Sequence, residues 1–240
     1  IEYLMDDRHK ILVACMPKSG STYLATVLSN LPDFRVTSWV PGYGRREQEL
    51  CFNRLQTDDA LLTDHNLVAQ HHVRYSEVTE KYMKEFNLKP VVLIRNIYDV
   101  VASLIDHHKS ESVVYPMAFV PKDIVNWDDN RAAKFVASMV MPWYFNFFVS
   151  WHNCSDKVQV SYEDLITDPA RIVQIICEEW KINVSEQDVV GAVECADSMH
   201  TRKNVGIAGR GNKLPEECRN HIKEMATFYS GIDFSKIGIS

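Results

Sequence analysis

The chain has 240 residues, 46% of them hydrophobic and 24% charged, which fits a globular protein with a sizeable core and excludes disordered, collagen-like and small disulfide-stapled classes. With 26 Lys+Arg against 32 Asp+Glu the formal net charge is −6. A broad basic face for a nucleic-acid backbone is therefore excluded, and any bound anion has to sit in a local pocket.

The first residues, Ile1 to Arg8, are too charged for a signal peptide, and an opening Ile rather than Met leaves room for a neighbouring domain upstream. Lys10 to Ala14 is a short apolar run that predicts a buried strand, and it stops at a cluster of Pro, Gly and Ser residues. Leu24, Val27, Leu28 and Leu31 then follow helical spacing up to Pro32. Residues 36–66 are turn-rich and aromatic, and Leu67 to Ala69 is a weaker strand candidate ahead of His71-His72. Pro90 to Ile94 predicts a second buried strand, followed by Arg95-Asn96 and a helix from Ile97 to His107. Residues 110–128 form another aromatic, turn-rich stretch. Arg131 to Trp151 reads as one long core helix, and Pro142, Asn146 and Ser150 interrupt its most apolar part too often for a membrane span. A last strand, Val158 to Ser161, leads into Tyr162.

No repeat or linker divides the chain, so one domain over 1–240 is expected. Strands feeding directly into helices predict an α/β fold, a mostly parallel central sheet with helices on both faces. Ligands of such sheets sit at the carboxyl ends of the strands. That places Pro17 to Thr22, His71-His72, Arg95-Asn96 and Tyr162 together. Six cysteines without a Cys-x-x-Cys pair fit reduced thiols, and the expected location is cytoplasmic.

Pro17-Lys18-Ser19-Gly20-Ser21-Thr22 is a strand-to-helix turn with one Lys, one Gly and three hydroxyls. Unpaired N–H groups, the helix dipole, the hydroxyls and the ammonium together suit a phosphate or sulfate. In the blander reading Ser21 or Thr22 caps the helix and Lys18 is a solvated charge. The chain contains no Gly-Lys dipeptide, so the Gly-x-x-x-x-Gly-Lys-[Ser/Thr] loop of nucleotide kinases is absent, and Gly20 stands alone where a dinucleotide fingerprint needs three glycines.

With Tyr23 added, this segment resembles the 5′-phosphosulfate loop of sulfotransferases that use 3′-phosphoadenosine 5′-phosphosulfate (PAPS). Arg95-Asn96-x-x-Asp99-x-x-x-Ser103 is similar to that family's 3′-phosphate motif, with Ile97 in place of Pro. Arg202 to Arg210 resembles its Arg-Lys-Gly-x-x-Gly loop, with two residues intervening before Gly206 and Gly209. The resemblance implies a sulfotransferase P-loop-like fold with PAPS as sulfuryl donor, PAP as product and no metal. It implies nucleotide contacts from Pro17, Lys18, Ser19, Gly20, Ser21, Thr22, Tyr23, Arg95, Ser103, Tyr162, Arg202, Lys203, Gly206, Gly209 and Arg210. Asn96 is suited to cap the helix, and Asp99 either orients Arg95 or forms an i, i+4 ion pair with it.

The base that deprotonates the acceptor lies, in the family, within Lys-Thr-His-hydrophobic. Gln70-His71-His72-Val73 occupies that place, making His72 the match, His71 its neighbour and Gln70 the replacement for the family's Lys. Lys18 then carries more of the electrostatic work. The polysaccharide-modifying branch uses a Glu, for which Glu47 and Glu49 are candidates. The adjacent pairs His71-His72 and His107-His108 point apart on one element and do not make a metal site. The aromatic stretches suit a small-molecule or acyl-chain hydroxyl acceptor. Two rival readings are a nucleotide-dependent phosphotransferase with an atypical phosphate loop and a non-catalytic PAP/PAPS-binding protein.

Overall fold

Five parallel strands, β1 (Lys10–Cys15), β2 (Phe34–Thr37), β3 (Asn66–His71), β4 (Leu88–Ile94) and β5 (Val158–Ser161), form one sheet in the order β2-β3-β1-β4-β5. The computed structural model describes residues 8–41, 48–61, 64–199 and 209–240. The expected parallel α/β architecture is present, with β2 as an edge strand. Only Phe34 of β2 is buried while Arg35 and Val36 face solvent, so β2 lacks the apolar run that marks a central strand.

Alternation along β1 supplies both layers of core. Ile11, Val13 and Cys15 pack against helices α1 (Ser21–Ser29), α8 (Pro169–Glu179) and α9 (Glu186–Ser198). Leu12, Ala14 and Met16 pack on the other face with α4 (Ile97–Ser110), α5 (Asp129–Phe135), α6 (Met141–His152) and α10 (Glu216–Thr227). The predicted stripe Leu24, Val27, Leu28 and Leu31 is buried throughout. Three further α-helices are α2 (Phe52–Leu61), in a segment read from sequence as turn-rich, α3 (Glu77–Glu85) and α7 (Tyr162–Thr167).

The long helix expected over Arg131 to Trp151 is divided. Val136–Val140 forms a π turn in which the Met141 N–H donates to the Val136 carbonyl. Pro142 has no N–H, so the carbonyl four residues earlier loses its α-helical partner and the wider turn absorbs the mismatch. Among the described residues, no helix is long and apolar enough to cross a membrane.

Parallel register brings the loops after β1, β3, β4 and β5 to one edge. Cys15 lies opposite Leu93, Ala14 opposite His71, and Ile94 opposite Ser161. The site is assembled at that edge.

Candidate active site

A cavity of about 590 Å³ opens there, and its wall includes Pro17, Lys18, Gly20, Ser21, Thr22 and Tyr23 from the first loop, with Gln70, His72, Arg95 and Tyr162 from the other strand ends. Lys18 and Gly20 have φ of 65° and 81°, which turns the loop sharply enough to direct the start of α1 at the cavity. A β-carbon on Gly20 would stand 2.9 Å from the Tyr162 ring, so glycine is needed both for the turn and for the close approach. The buried Ser19 hydroxyl donates to the Met16 carbonyl and braces the loop from behind. No side chain caps α1, contrary to the capping alternative: Ser21 Oγ accepts from Gln70 Nε2 at 3.1 Å instead. The first N–H groups of α1 thus keep the character of an anion site. Tyr23 is hydrogen-bonded to Asp197, also on the cavity wall. Burial and that carboxylate push its hydroxyl up to about 12.

Arg95 is 3% exposed and carries a full guanidinium charge into this wall. Its Nη1 donates to the Lys18 carbonyl at 2.6 Å, and its Cζ lies over the Tyr162 ring, 4.0 Å from the centroid. Its buried Nε has no protein partner. Burial draws its pKa below the ordinary value, and among the described residues no carboxylate lies within ion-pair distance of it. An orphaned N–H on a desolvated cation costs about 1–3 kcal/mol or more unless something accepts from it.

Asp99 does not form the expected pair with Arg95. Its carboxylate accepts from the N–H groups of Gly209 and Gly211, at 2.8 and 2.7 Å, and so fastens the C-terminal segment to α4. Two backbone donors satisfy it better than one guanidinium shared with a ligand. A β-carbon on Gly211 would fall 2.3 Å from Tyr98 Cβ, which explains this close docking. Arg210 is paired with Asp106 rather than placed on the cavity wall, and Ser103 is buried at 2% exposure without lining the cavity. Asn96 caps α4 as expected, its Oδ1 accepting from the N–H groups of Tyr98 and Asp99. Arg202, Lys203, Gly206 and Glu47 lie outside the described residues.

The adjacent histidines have opposite environments. His72 lines the cavity, and its Nδ1 is 2.9 Å from the Cys15 carbonyl. A carbonyl only accepts, so Nδ1 carries the hydrogen and Nε2 is left as the basic nitrogen. The Trp151 indole N–H donates to the next carbonyl, Val73, at 2.9 Å and anchors the segment. His71 points to the other side of β3, where its Nε2 accepts from the Trp39 N–H at 2.9 Å. Burial, and secondarily His72, lower its pKa to about 3. It is a neutral structural imidazole with its lone pair occupied. Glu49 is exposed and off the cavity wall.

Further wall comes from α4 and the segment after it, His107, Val114, Tyr115 and Pro116, and from Leu165 and Ile166 of α7 and Pro169 of α8. Tyr115 and Tyr144 hydroxyls are 2.6 Å apart, and Tyr144 donates to the Pro17 carbonyl at 3.1 Å, tying this wall to the first loop. Gln48 joins the two aromatic stretches, accepting from Trp143 Nε1 at 2.7 Å and donating to the Pro116 carbonyl at 2.6 Å. The sequence reading missed His107 as a cavity residue. Its i, i+4 spacing to Glu111 was the available signal.

Sequence and structure comparisons bear on the same region. The sulfotransferase domain family matches residues 8–236. No curated protein sequence matches the chain. Mouse sulfotransferase SULT7A1 complexed with PAP is similar in structure, with a TM-score of 0.67 at 16% identity, covering 95% of this chain and 86% of that one. Retinol dehydratase in complex with retinol and PAP gives 0.57 at 13% identity, covering 91% and 80%. At these identities the likeness to solved structures is one of fold.

Proposed function

The chain belongs to the sulfotransferase domain family, and on that premise we propose that it moves the sulfuryl group of PAPS to a hydroxyl acceptor with His72 as general base. The observation that carries this reading is the Arg95 guanidinium, buried, desolvated and with Nε unpartnered, next to the open N-terminus of α1. Two anion-seeking features on one cavity fit a nucleotide with phosphates at both its 3′ and 5′ positions. PAP bound to the fold relatives supports the same ligand.

When bound, PAPS supplies a sulfuryl group on a phosphate leaving group. The α1 N–H groups, Ser21, Thr22 and Lys18 would hold the 5′ end, and Arg95 the 3′-phosphate. Tyr162 and Tyr23 offer rings for the nucleoside. His72 Nε2 takes the proton of the acceptor hydroxyl as its oxygen forms the new bond to sulfur, and Lys18 steadies negative charge left on the departing oxygen. Gln70, in place of the Lys expected there, holds Ser21 and adds no charge, so Lys18 carries that electrostatic role without a second ammonium from β3.

The test is transfer of labelled sulfate from PAPS alongside thermal stabilisation by PAP and by ATP–Mg. PAP but not ATP–Mg should raise the Tm. His72→Ala should keep PAP binding and lose transfer by about 10²–10⁴-fold, the usual share of a positioned base. Stabilisation by ATP–Mg alone would favour a phosphotransferase, and PAP binding by a wild type inert towards a broad acceptor panel would favour a non-catalytic binder.

A further inference from the structure

Cys15, the last residue of β1, is fully buried behind the cavity wall, and its thiol meets polar groups at the end of β3. Its Sγ is 3.5 Å from the His71 carbonyl, 3.3 Å from His72 Nδ1 and 3.7 Å from Gln70 Nε2. The chemistry of each group assigns the hydrogens. A carbonyl only accepts, so the thiol hydrogen points to His71. The sulfur lone pairs then face the N–H of His72 Nδ1 and one amide hydrogen of Gln70, while the other amide hydrogen of Gln70 goes to Ser21 Oγ.

A buried cysteine ordinarily serves as a small apolar side chain, and on the same face of β1 Ile11 and Val13 fill that need. At position 15 the surroundings are different. The His71 carbonyl and the Gln70 amide hold the sulfur from two sides, which makes it a fixed acceptor. The His72 Nδ1–H meets both this sulfur and the Cys15 carbonyl, the latter at 2.9 Å. Two acceptors from one residue, set in different directions, fix the plane of the imidazole as well as the position of its nitrogen. Cys15 is not on the cavity wall, whereas His72 is, so any effect of the thiol on the reaction passes through the ring.

Resting on the sulfotransferase reading above, in which His72 is the base, we propose that Cys15 is a positioning residue whose sulfur, together with its own carbonyl, aims His72 Nε2 at the acceptor hydroxyl. Proton transfer is steep in geometry, so loss of this contact shows in the transfer step rather than in the binding of nucleotide or acceptor.

The test compares Cys15→Ala, which removes the sulfur without adding bulk, with Cys15→Ser, whose hydroxyl can still donate to the His71 carbonyl and accept from Nδ1. Labelled-sulfate transfer from PAPS is measured on the full chain, and PAP affinity by calorimetry. Cys15→Ala should lower kcat and kcat/KM for the acceptor equally, by about 10-fold, with PAP affinity within about twofold of wild type. Cys15→Ser should recover kcat to within about threefold of wild type. The readout that packing alone would not move is the coupling to His72: in a His72→Ala background, Cys15→Ala should cost less than about twofold more, because the ring it aims is gone. Wild-type kcat in Cys15→Ala, a loss that Cys15→Ser fails to recover, or a loss of the same size in the His72→Ala background would each overturn the inference. Should Cys15→Ala not fold, Cys15→Val, which fills the space with an apolar group, takes its place in the same comparison. A wild type that transfers no sulfate, or a His72→Ala variant with unchanged transfer, would instead overturn the reading on which this one rests, and this one with it.

Discussion

At one end of the cavity the wall is made of strand ends, a tight loop and the start of α1; at the other it is made of side chains from the end of α4 and residues 111–116. The first end is fixed by contacts within one loop or between loops that leave the same edge of the sheet: Ser19 on Met16, Gly20 on Tyr162, Arg95 on the Lys18 carbonyl. The second is fixed by side-chain hydrogen bonds that no strand pairing supports: Gln48 on Pro116, Trp143 on Gln48, Tyr144 on Pro17. On the proposed reading the first end is the nucleotide's, a rigid socket for charge, and the second is the acceptor's, dependent on loops held by single hydrogen bonds.

The largest expected effect that separates the two ends is at Arg95. Arg95→Met keeps an unbranched side chain but removes the charge, its donors and the guanidinium that lies over the Tyr162 ring. Hydrogen bonds to charged groups contribute about 1.5–3 kcal/mol, so PAP affinity should fall by roughly 10- to 150-fold in a calorimetric titration. Acceptor KM for sulfate transfer should not move, provided PAPS is kept saturating. A shift of that KM would show that the two ends are one coupled unit.

The same division explains what was legible in the sequence. Strand-to-helix turns leave short signatures, because a phosphate seat needs a positive-φ turn, small residues and a cation within a few positions. Lys18, Gly20, His72, Arg95 and Tyr162 could therefore be named beforehand, and the fold brings them to one wall. Contacts that close over long sequence separations leave no such mark. Asp99 was read by its spacing from Arg95, yet it pairs with Gly209 and Gly211, more than a hundred residues away. His107 and Glu111 had helical pair spacing, but nothing local said that their helix end faces a cavity. The π turn follows from Pro142, whose presence was noted only as a barrier to membrane insertion.

The buried histidine at the end of β3 gives a pH test of intermediate size. His71 is neutral in the folded protein with its pKa lowered from 6.5 to about 3, so below pH 6.5 the unfolded chain binds a proton that folded His71 refuses. Its contribution to stability is complete above that value and is lost as the pH falls towards 3. At pH 5, 1.5 units below 6.5, the loss is about 2 kcal/mol at 1.36 kcal/mol per unit. His71→Gln can still accept from the Trp39 N–H but does not titrate. Its unfolding free energy, followed by denaturant titration, should therefore fall less between pH 7 and pH 5 than that of the wild type. Identical slopes would place the titration elsewhere, for example at His108, whose pKa burial also lowers.

The smallest effect is expected where the acceptor wall is held by one side chain. Gln48→Ala removes the acceptor for the indole N–H of Trp143, a residue 8% exposed, and the donor to the Pro116 carbonyl. Leaving a largely buried indole N–H unpaired costs about 1–3 kcal/mol, and water entering the space left by the amide offsets part of it. A net loss near 1 kcal/mol in unfolding free energy is expected, with PAP affinity unchanged because no residue of the nucleotide end touches Gln48 through these bonds. Acceptor KM should rise severalfold while kcat holds, since Pro116 lines the cavity but the proposed base, His72, does not move. If PAP affinity fell with acceptor affinity, the Tyr115–Tyr144–Pro17 chain would be transmitting the disturbance to the first loop, and the acceptor wall would count as part of the socket.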